Sequence, residues 1–209
     1  MKLWSDAFKD GAVIPARYAF CAPDQQTLVR LSGNVSPHLA WNEVPNGTQS
    51  FALMVYDCDA PLDRSDVNQT GKTLAPGIAR QAFFHWLMVD IPAACRSLGE
   101  GEYSNGVLAG GKPPDRGDGV LRPLQGVNDY SNWFADDAAM AGQYYGYDGP
   151  CPPWNDMLMH HYIFRLYALD VPTLGIARGY TGIQFKQAIF GHILDEAQII
   201  ASYTLNPAL

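Results

Sequence analysis

Four stretches of this chain carry side chains able to bind or transform a small molecule. Asp57-Cys58-Asp59-Ala60-Pro61 sets two carboxylates two residues apart at the end of an apolar run. In extended backbone such residues point to the same side, so both acids are expected to face one space. Two acids there repel unless a cation, a proton or hydrogen-bond donors lie near, and they either cap a turn or face a ligand. His85 falls inside a second apolar run, between Phe84 and Trp86, where a histidine is either a satisfied core residue or a ligand contact. Tyr147-Asp148-Gly149-Pro150-Cys151-Pro152-Pro153 is a stiff bend whose few N–H groups could point at an anion. His160-His161-Tyr162 follows, with His160 and Tyr162 on one strand face.

The elements that must position these groups read mainly as strands. Ser50 to Asp57 (SFALMVYD) is apolar nearly throughout, as expected of a central strand buried on both faces. Phe83 to Ile91 repeats the pattern and stops at Pro92. His161 to Ala168 alternates, with Tyr162, Phe164, Leu166 and Ala168 on one face, and Ala197 to Leu205 alternates as a half-exposed edge strand. One helix is expected, over Gly182 to Leu194, with Thr181 as its cap. Strands and helices do not alternate along the chain, which disfavours a doubly wound parallel sheet and leaves a mostly antiparallel β fold. Between Gly99 and Gly149 the chain turns rich in Gly, Pro, Asp and Asn. Its Tyr103, Tyr130, Trp133, Phe134, Tyr144, Tyr145 and Tyr147 argue for a loop layer packed on the sheet rather than disorder.

Composition narrows the class. The 209 residues, 47% apolar and 12% aromatic, suit one domain spanning 1–209 with a sizeable core. The formal charge of −7 is the wrong sign for a nucleic-acid binder, which needs basic clusters to neutralise phosphates. The longest apolar run, Phe51 to Tyr56, is far short of the roughly 18 residues of a membrane span. The start, Met1 to Asp6, has no apolar h-region, so the cytoplasm is the expected location. Cys21, Cys58, Cys95 and Cys151 are far apart with no Cys-x-x-Cys pair, so they read as reduced thiols, with neither a zinc site nor a disulfide framework.

Taken together the motifs resemble the phosphatidylethanolamine-binding protein family, which includes Raf kinase inhibitor protein and small bacterial relatives. Ser36-Pro37-His38-Leu39-Ala40-Trp41 is similar to its Ser-Pro-x-Leu-x-Trp, Asp57 to Pro61 to its Asp-Pro-Asp-Ala-Pro, and Phe84-His85-Trp86 to its histidine strand. Gly149 to Pro153 with His160-His161-Tyr162 is similar to its Gly-x-x-Pro-Pro and His-Arg-Tyr. The resemblance implies an antiparallel β-sandwich with a late C-terminal helix, long irregular loops and a shallow anion pocket. That pocket would comprise Asp57, Asp59, Pro61, His85, Gly149, Pro150, Cys151, His160 and Tyr162. Three departures stand out: Cys58 replaces the first proline, His161 stands where arginine is usual, and the loop Ser131 to Tyr145 is longer than the family norm.

The expected activity is non-enzymatic binding of a small phosphate-bearing or carboxylate-bearing ligand, with no cofactor. A zwitterion such as phosphoethanolamine fits best, its ammonium on Asp57 or Asp59 and its phosphate on donors from His85, His160, Tyr162 and the amides around Cys151. The rival is a cysteine hydrolase with Cys151 as nucleophile and His160 or His161 as base, oriented by Asp57 or Asp59. Against it, Cys151 lies between prolines with no helix N-terminus to lower its pKa. A metal held by the acids and histidines is a weaker alternative, since ligand-pair spacings are absent. By resemblance a kinase or protease partner docks at the pocket or its rim, and edge strands with aromatic loops leave room for a homodimer.

Overall fold

A computed structural model describes residues 1–114 and 123–209, so the part of the expected loop layer at 115–122 lies outside the described residues. In chain order the strands are β1 (Lys2–Trp4), β2 (Cys21–Asp24), β3 (Leu28–Leu31), β4 (Leu39–Asn42), β5 (Ser50–Pro61), β6 (Arg80–Pro92), β7 (Ser97–Leu98), β8 (Leu124–Gln125), β9 (His160–Leu169) and β10 (Ile193–Tyr203). Among the described residues there are also two short α-helices, α1 (Tyr130–Trp133) and α2 (Gly182–Ile189), and a 3-10 turn at Ala16–Tyr18. All three sheets are antiparallel: β10-β9-β5-β6-β8, β1-β4-β7, and the β2-β3 hairpin. The expected β-sandwich is the fold observed.

β5 is central, and its sequence says why. Phe51, Leu53 and Val55 face one core, shared with Trp41, Trp86, Phe164 and Leu166. Ala52 and Met54 face another, shared with Leu87, Tyr167 and the α2 residues Phe185 and Ile189. A strand covered on both faces needs no polar side, and that produces the unbroken apolar run. Gly182 lets α2 lie against the sheet, since a Cβ there would meet Phe84 Cδ2 at 2.2 Å.

The late helix is shorter than its apolar pattern suggests. It ends at Ile189; Phe190 is extended and Gly191 takes the left-handed conformation at φ +85°. Ile193 and Leu194 therefore belong to β10, which pairs with β9 along its whole length and begins four residues before the expected Ala197. Its edge position and its alternation, with Ile199, Ala201 and Tyr203 buried, follow the sequence pattern.

Within the Gly99–Gly149 stretch, Tyr103, Tyr130, Tyr144, Tyr145 and Tyr147 are buried, Phe134 is half-buried and Trp133 is partly exposed. Phe20, Tyr130 and Phe134 form a three-ring cluster, with the Tyr130 centroid 4.5 Å from Phe20 and 5.6 Å from Phe134 and the two phenylalanines 5.8 Å apart. The described part of this stretch is an aromatic layer packed on the sandwich.

Candidate functional site

β5, β6 and β9 lie side by side, and register brings Asp57 opposite both Tyr162 and Phe83. Beside their ends is a cavity of 320 Å³, large enough for a small ligand. Six of the nine expected residues line it: Asp57, Pro61, His85, Cys151, His160 and Tyr162. The rest of its wall is mainly apolar, with Phe20, Leu31, Phe83, Trp133, Phe134 and Met140 prominent.

Its floor is a chain of charges. His160 Nδ1 lies 2.7 Å from Asp57 Oδ2, and its Nε2 lies 3.1 Å from Asp156 Oδ2. Carboxylates only accept, so both ring nitrogens donate and His160 is an imidazolium. Burial alone would lower its pKa, but the hydrogen bonds to Asp156 and Asp57 overcome this and lift it to about 9. Burial likewise opposes ionisation of Asp156, yet His160 and Arg80 bring its pKa down to about 2. Arg80 grips Asp156 with both terminal nitrogens, at 2.5 and 3.0 Å, and donates to the Asp59 carbonyl at 2.8 Å. Two anions and two cations thus sum to zero, which is how four charges tolerate so little water.

His85 is held differently. Its backbone carbonyl accepts from the Asp148 N–H at 3.1 Å, and its Nδ1 lies 2.7 Å from the Asp148 carbonyl. The carbonyl must accept, so Nδ1 carries the proton and Nε2 is left for the cavity. Burial lowers the His85 pKa and keeps the ring neutral, with the Asp57 charge opposing. Beneath the bend, the buried Asp148 carboxylate takes hydrogen bonds from Asn34 and Asn128 and pairs with Lys112.

Tyr162 is buried, and its hydroxyl has no hydrogen-bond partner within full geometry among the described residues. Asp57 stands beside it, and burial, the Asp57 charge and a loose hydrogen bond from the hydroxyl to the Asp57 carboxylate push the phenol pKa well up. At the rim, the Arg64 guanidinium lies 4.8 Å over the Trp133 ring.

Several expectations need correction. Asp57 and Asp59 do not share a space: the β5–β6 register shifts between Asp57 and Ala60, and the Asp59 N–H turns in to Asp57 Oδ1 at 2.7 Å. The bulge breaks the two-residue alternation, so Asp59 instead meets the backbone and ring of exposed His161 at 2.8 and 2.9 Å. His160 has no free donor for a phosphate, because both N–H groups are spent. Nor has it a lone pair for a metal ion. Gly149 and Pro150 support the wall rather than form it. Gly149 N donates to Asn34 Oδ1 at 2.8 Å, and its carbonyl accepts from the Tyr130 hydroxyl at 2.8 Å. The Pro150 carbonyl accepts from Phe20 and Cys21.

Cysteine usage is also corrected. Cys151 is bonded to Cys21, 130 residues away in sequence, so these two are not reduced thiols and Cys151 has no free sulfur for nucleophilic attack. Cys58 and Cys95 are free. Burial, with the charges of Asp59 and Asp57, pushes the Cys58 thiol up to about 11, far from a reactive thiolate. Sequence reading missed Arg80, Asp156 and Arg64. The signal for the first two was the buried histidine itself, which needs acceptors on both nitrogens once it is charged.

These features define an antiparallel β-sandwich protein with a pocket at the ends of its central strands, apolar in its walls and closed in charge at its floor. The chain belongs to the phosphatidylethanolamine-binding protein family, whose sequence pattern matches residues 4–204. Among its relatives, the UPF0098 protein YbhB of Escherichia coli is 32% identical over 204 residues, covering 98% of this chain and 100% of YbhB. A UPF0098 protein of Aquifex aeolicus is 30% identical over 203 residues, covering 97% of this chain and 88% of that protein. The crystal structure of Escherichia coli YbcL, titled a new member of the mammalian PEBP family, superposes with a TM-score of 0.69 at 26% identity, covering 97% of each chain.

Proposed function

We propose that this pocket binds, without catalysing a reaction, a small ligand with an oxyanion or zwitterionic head, such as phosphate, a carboxylate or a phosphoethanolamine-like group. The observation that carries the reading is the convergence of Asp57, His85 and Tyr162 on one cavity of 320 Å³. Around it the aromatic wall supplies apolar contact for whatever the head is attached to. A kinase or protease partner at the rim is a further expectation of the family resemblance. The Cys21–Cys151 bond fits an oxidising compartment better than the cytoplasm expected from the N-terminus.

Calorimetric titration with phosphate, phosphoethanolamine and acetate tests the reading. Binding of at least one is expected, weakened roughly tenfold in Tyr162→Phe, since a hydrogen bond to a charged group contributes about 1.5–3 kcal/mol. No binding by any of the three, or unchanged affinity in Tyr162→Phe, would refute it.

A further inference from the structure

A second cavity, of 690 Å³, is separate from the proposed head-group pocket and shares none of its lining residues. The chain leads from one to the other: Cys151, Pro152 and Pro153 line the first, and Trp154, Asn155 and Met157 line the second. The apolar surface of the second comes from Pro23, Leu28, Trp154, Met157, Leu205 and Pro207, with Leu28 45% and Met157 40% exposed. Its polar side chains can be accounted for one by one. Asn155 donates to the Asp66 and Lys72 carbonyls and accepts from the Asn68 N–H. Asn206 donates to the Asp156 carbonyl and the Met157 sulfur and accepts from the Ala208 N–H. Asp24 takes three hydrogen bonds from Gln26 and Thr27 on one oxygen, and these, with the Arg30 charge, hold its pKa down. Lys72 pairs with Asp66 at 3.2 Å. Both charges are thus answered within the protein, and what remains is neutral: Gln25, Thr73 and the Trp154 indole N–H.

The lip of this cavity is held at a cost to the fold. Among the described residues, five other than glycine take a positive φ; Asn34, Glu43, Asn68 and Asp90 are polar, and the fifth is Leu28 at +67°. Leu28 pairs with Asp24 where the β2–β3 hairpin turn closes, a place that glycine or asparagine fills without that strain. Nearly half of the leucine is in solvent, so the core gains little from it, while the cavity gains an apolar edge. A strained residue that the core does not repay points to a role at the surface. We infer that this cavity is a second binding site, for an uncharged small molecule with an aromatic or branched apolar body. Leu28, Met157 and Trp154 contact the body, and a neutral hydrogen bond from Trp154, Gln25 or Thr73 orients it. The volume lies within the roughly 300–1,000 Å³ of small-molecule sites.

The probe is N-phenyl-1-naphthylamine, uncharged and bright in apolar surroundings, set against 8-anilinonaphthalene-1-sulfonate, the same body with a negative charge added. Titrated into the intact disulfide-bonded protein, the amine should bind saturably and the sulfonate about tenfold more weakly or worse, since nothing in the cavity answers its charge. Met157→Glu sets a charge on the wall at a part-exposed position and should weaken the amine about tenfold or more. Leu28→Asn removes the apolar edge and should weaken it too, while the urea midpoint holds or rises, because asparagine tolerates left-handed backbone. The first cavity also has apolar walls, so Leu31→Glu, which charges that cavity instead, is the control and should leave the amine's affinity unchanged. Absence of saturable binding, or binding lost in Leu31→Glu and kept in Met157→Glu, would overturn the inference. So would a sulfonate that binds as well as the amine, or a lowered urea midpoint in Leu28→Asn. The proposed head-group pocket is read by its own titration and stands or falls separately.

Discussion

Raising the pH should weaken this protein through one side chain, His160. The folded pKa, about 9, lies above the roughly 6.5 of an unfolded histidine. A raised pKa means that the folded state holds the proton more tightly. The stabilisation is therefore fully present below about 6.5 and is lost as pH rises through about 9. The shift of about 2.5 units corresponds to about 3 kcal/mol at 1.36 kcal/mol per unit. Roughly 2.5 kcal/mol of it is present at pH 7, and almost none at pH 10. His160 is 1% exposed, so solvent screening does not erode the figure. The assay is urea unfolding followed by tryptophan fluorescence from pH 6 to 10, for the native protein and His160→Gln. Glutamine offers an amide donor but no titrating charge, so subtracting its profile removes the contributions of tyrosines and free thiols common to both. The difference in unfolding free energy should shrink by about 2–3 kcal/mol between pH 7 and 10. Parallel profiles would refute the claim that an imidazolium bridges Asp57 and Asp156.

Two other outcomes follow from the wall of the pocket. Breaking the Cys21–Cys151 bond, by reductant or Cys151→Ala, should lower unfolding free energy by about 2–4 kcal/mol, because the bond closes a long loop in the unfolded chain; an unchanged urea midpoint under reductant would contradict the pairing. In Gly149→Ala the new Cβ would sit 2.1 Å from the Tyr18 carbonyl oxygen, a backbone atom that cannot swing away. A loss of about 1–3 kcal/mol, read as a lower melting temperature, is expected, and an unaltered one would mean the bend lies elsewhere.

Much of the architecture was legible because it rests on local pattern. The unbroken apolar run of β5 reports burial on both faces, and the alternation in β10 reports an edge strand with one wet side. The helix end was misread because Ile193 and Leu194 continue its apolar pattern, while Gly191 and pairing with β9 decide otherwise. At the site, residue types on β6 and β9 pointed to His85, His160 and Tyr162. The partners of those residues were hidden. A one-residue irregularity between Asp57 and Ala60 sends the two acids to different places, and alternation alone cannot reveal it. Arg80 and Asp156 lie 76 positions apart, and Cys21 and Cys151 lie 130 apart, so no spacing rule connects either pair.

The chain of Asp57, His160, Asp156 and Arg80 is a poor device for stability alone, since well-packed apolar residues of the same volume do as well or better in many proteins. Its physical effect is on direction. With His160 gripping one oxygen of Asp57 and the Asp59 amide gripping the other, the carboxylate cannot rotate, and its remaining lone pairs are fixed in space. His85 is fixed in the same sense by the Asp148 carbonyl, which selects one tautomer. The four charges sum to zero, so under the proposed function hydrogen-bond sense at the floor weighs beside charge in choosing a head group. The apolar walls sharpen this dependence, because in water-poor surroundings a mismatched lone pair has no solvent to repair it. Under the proposed function, selectivity at this pocket rests on positions held by groups behind its wall, Arg80 and Asp156 among them.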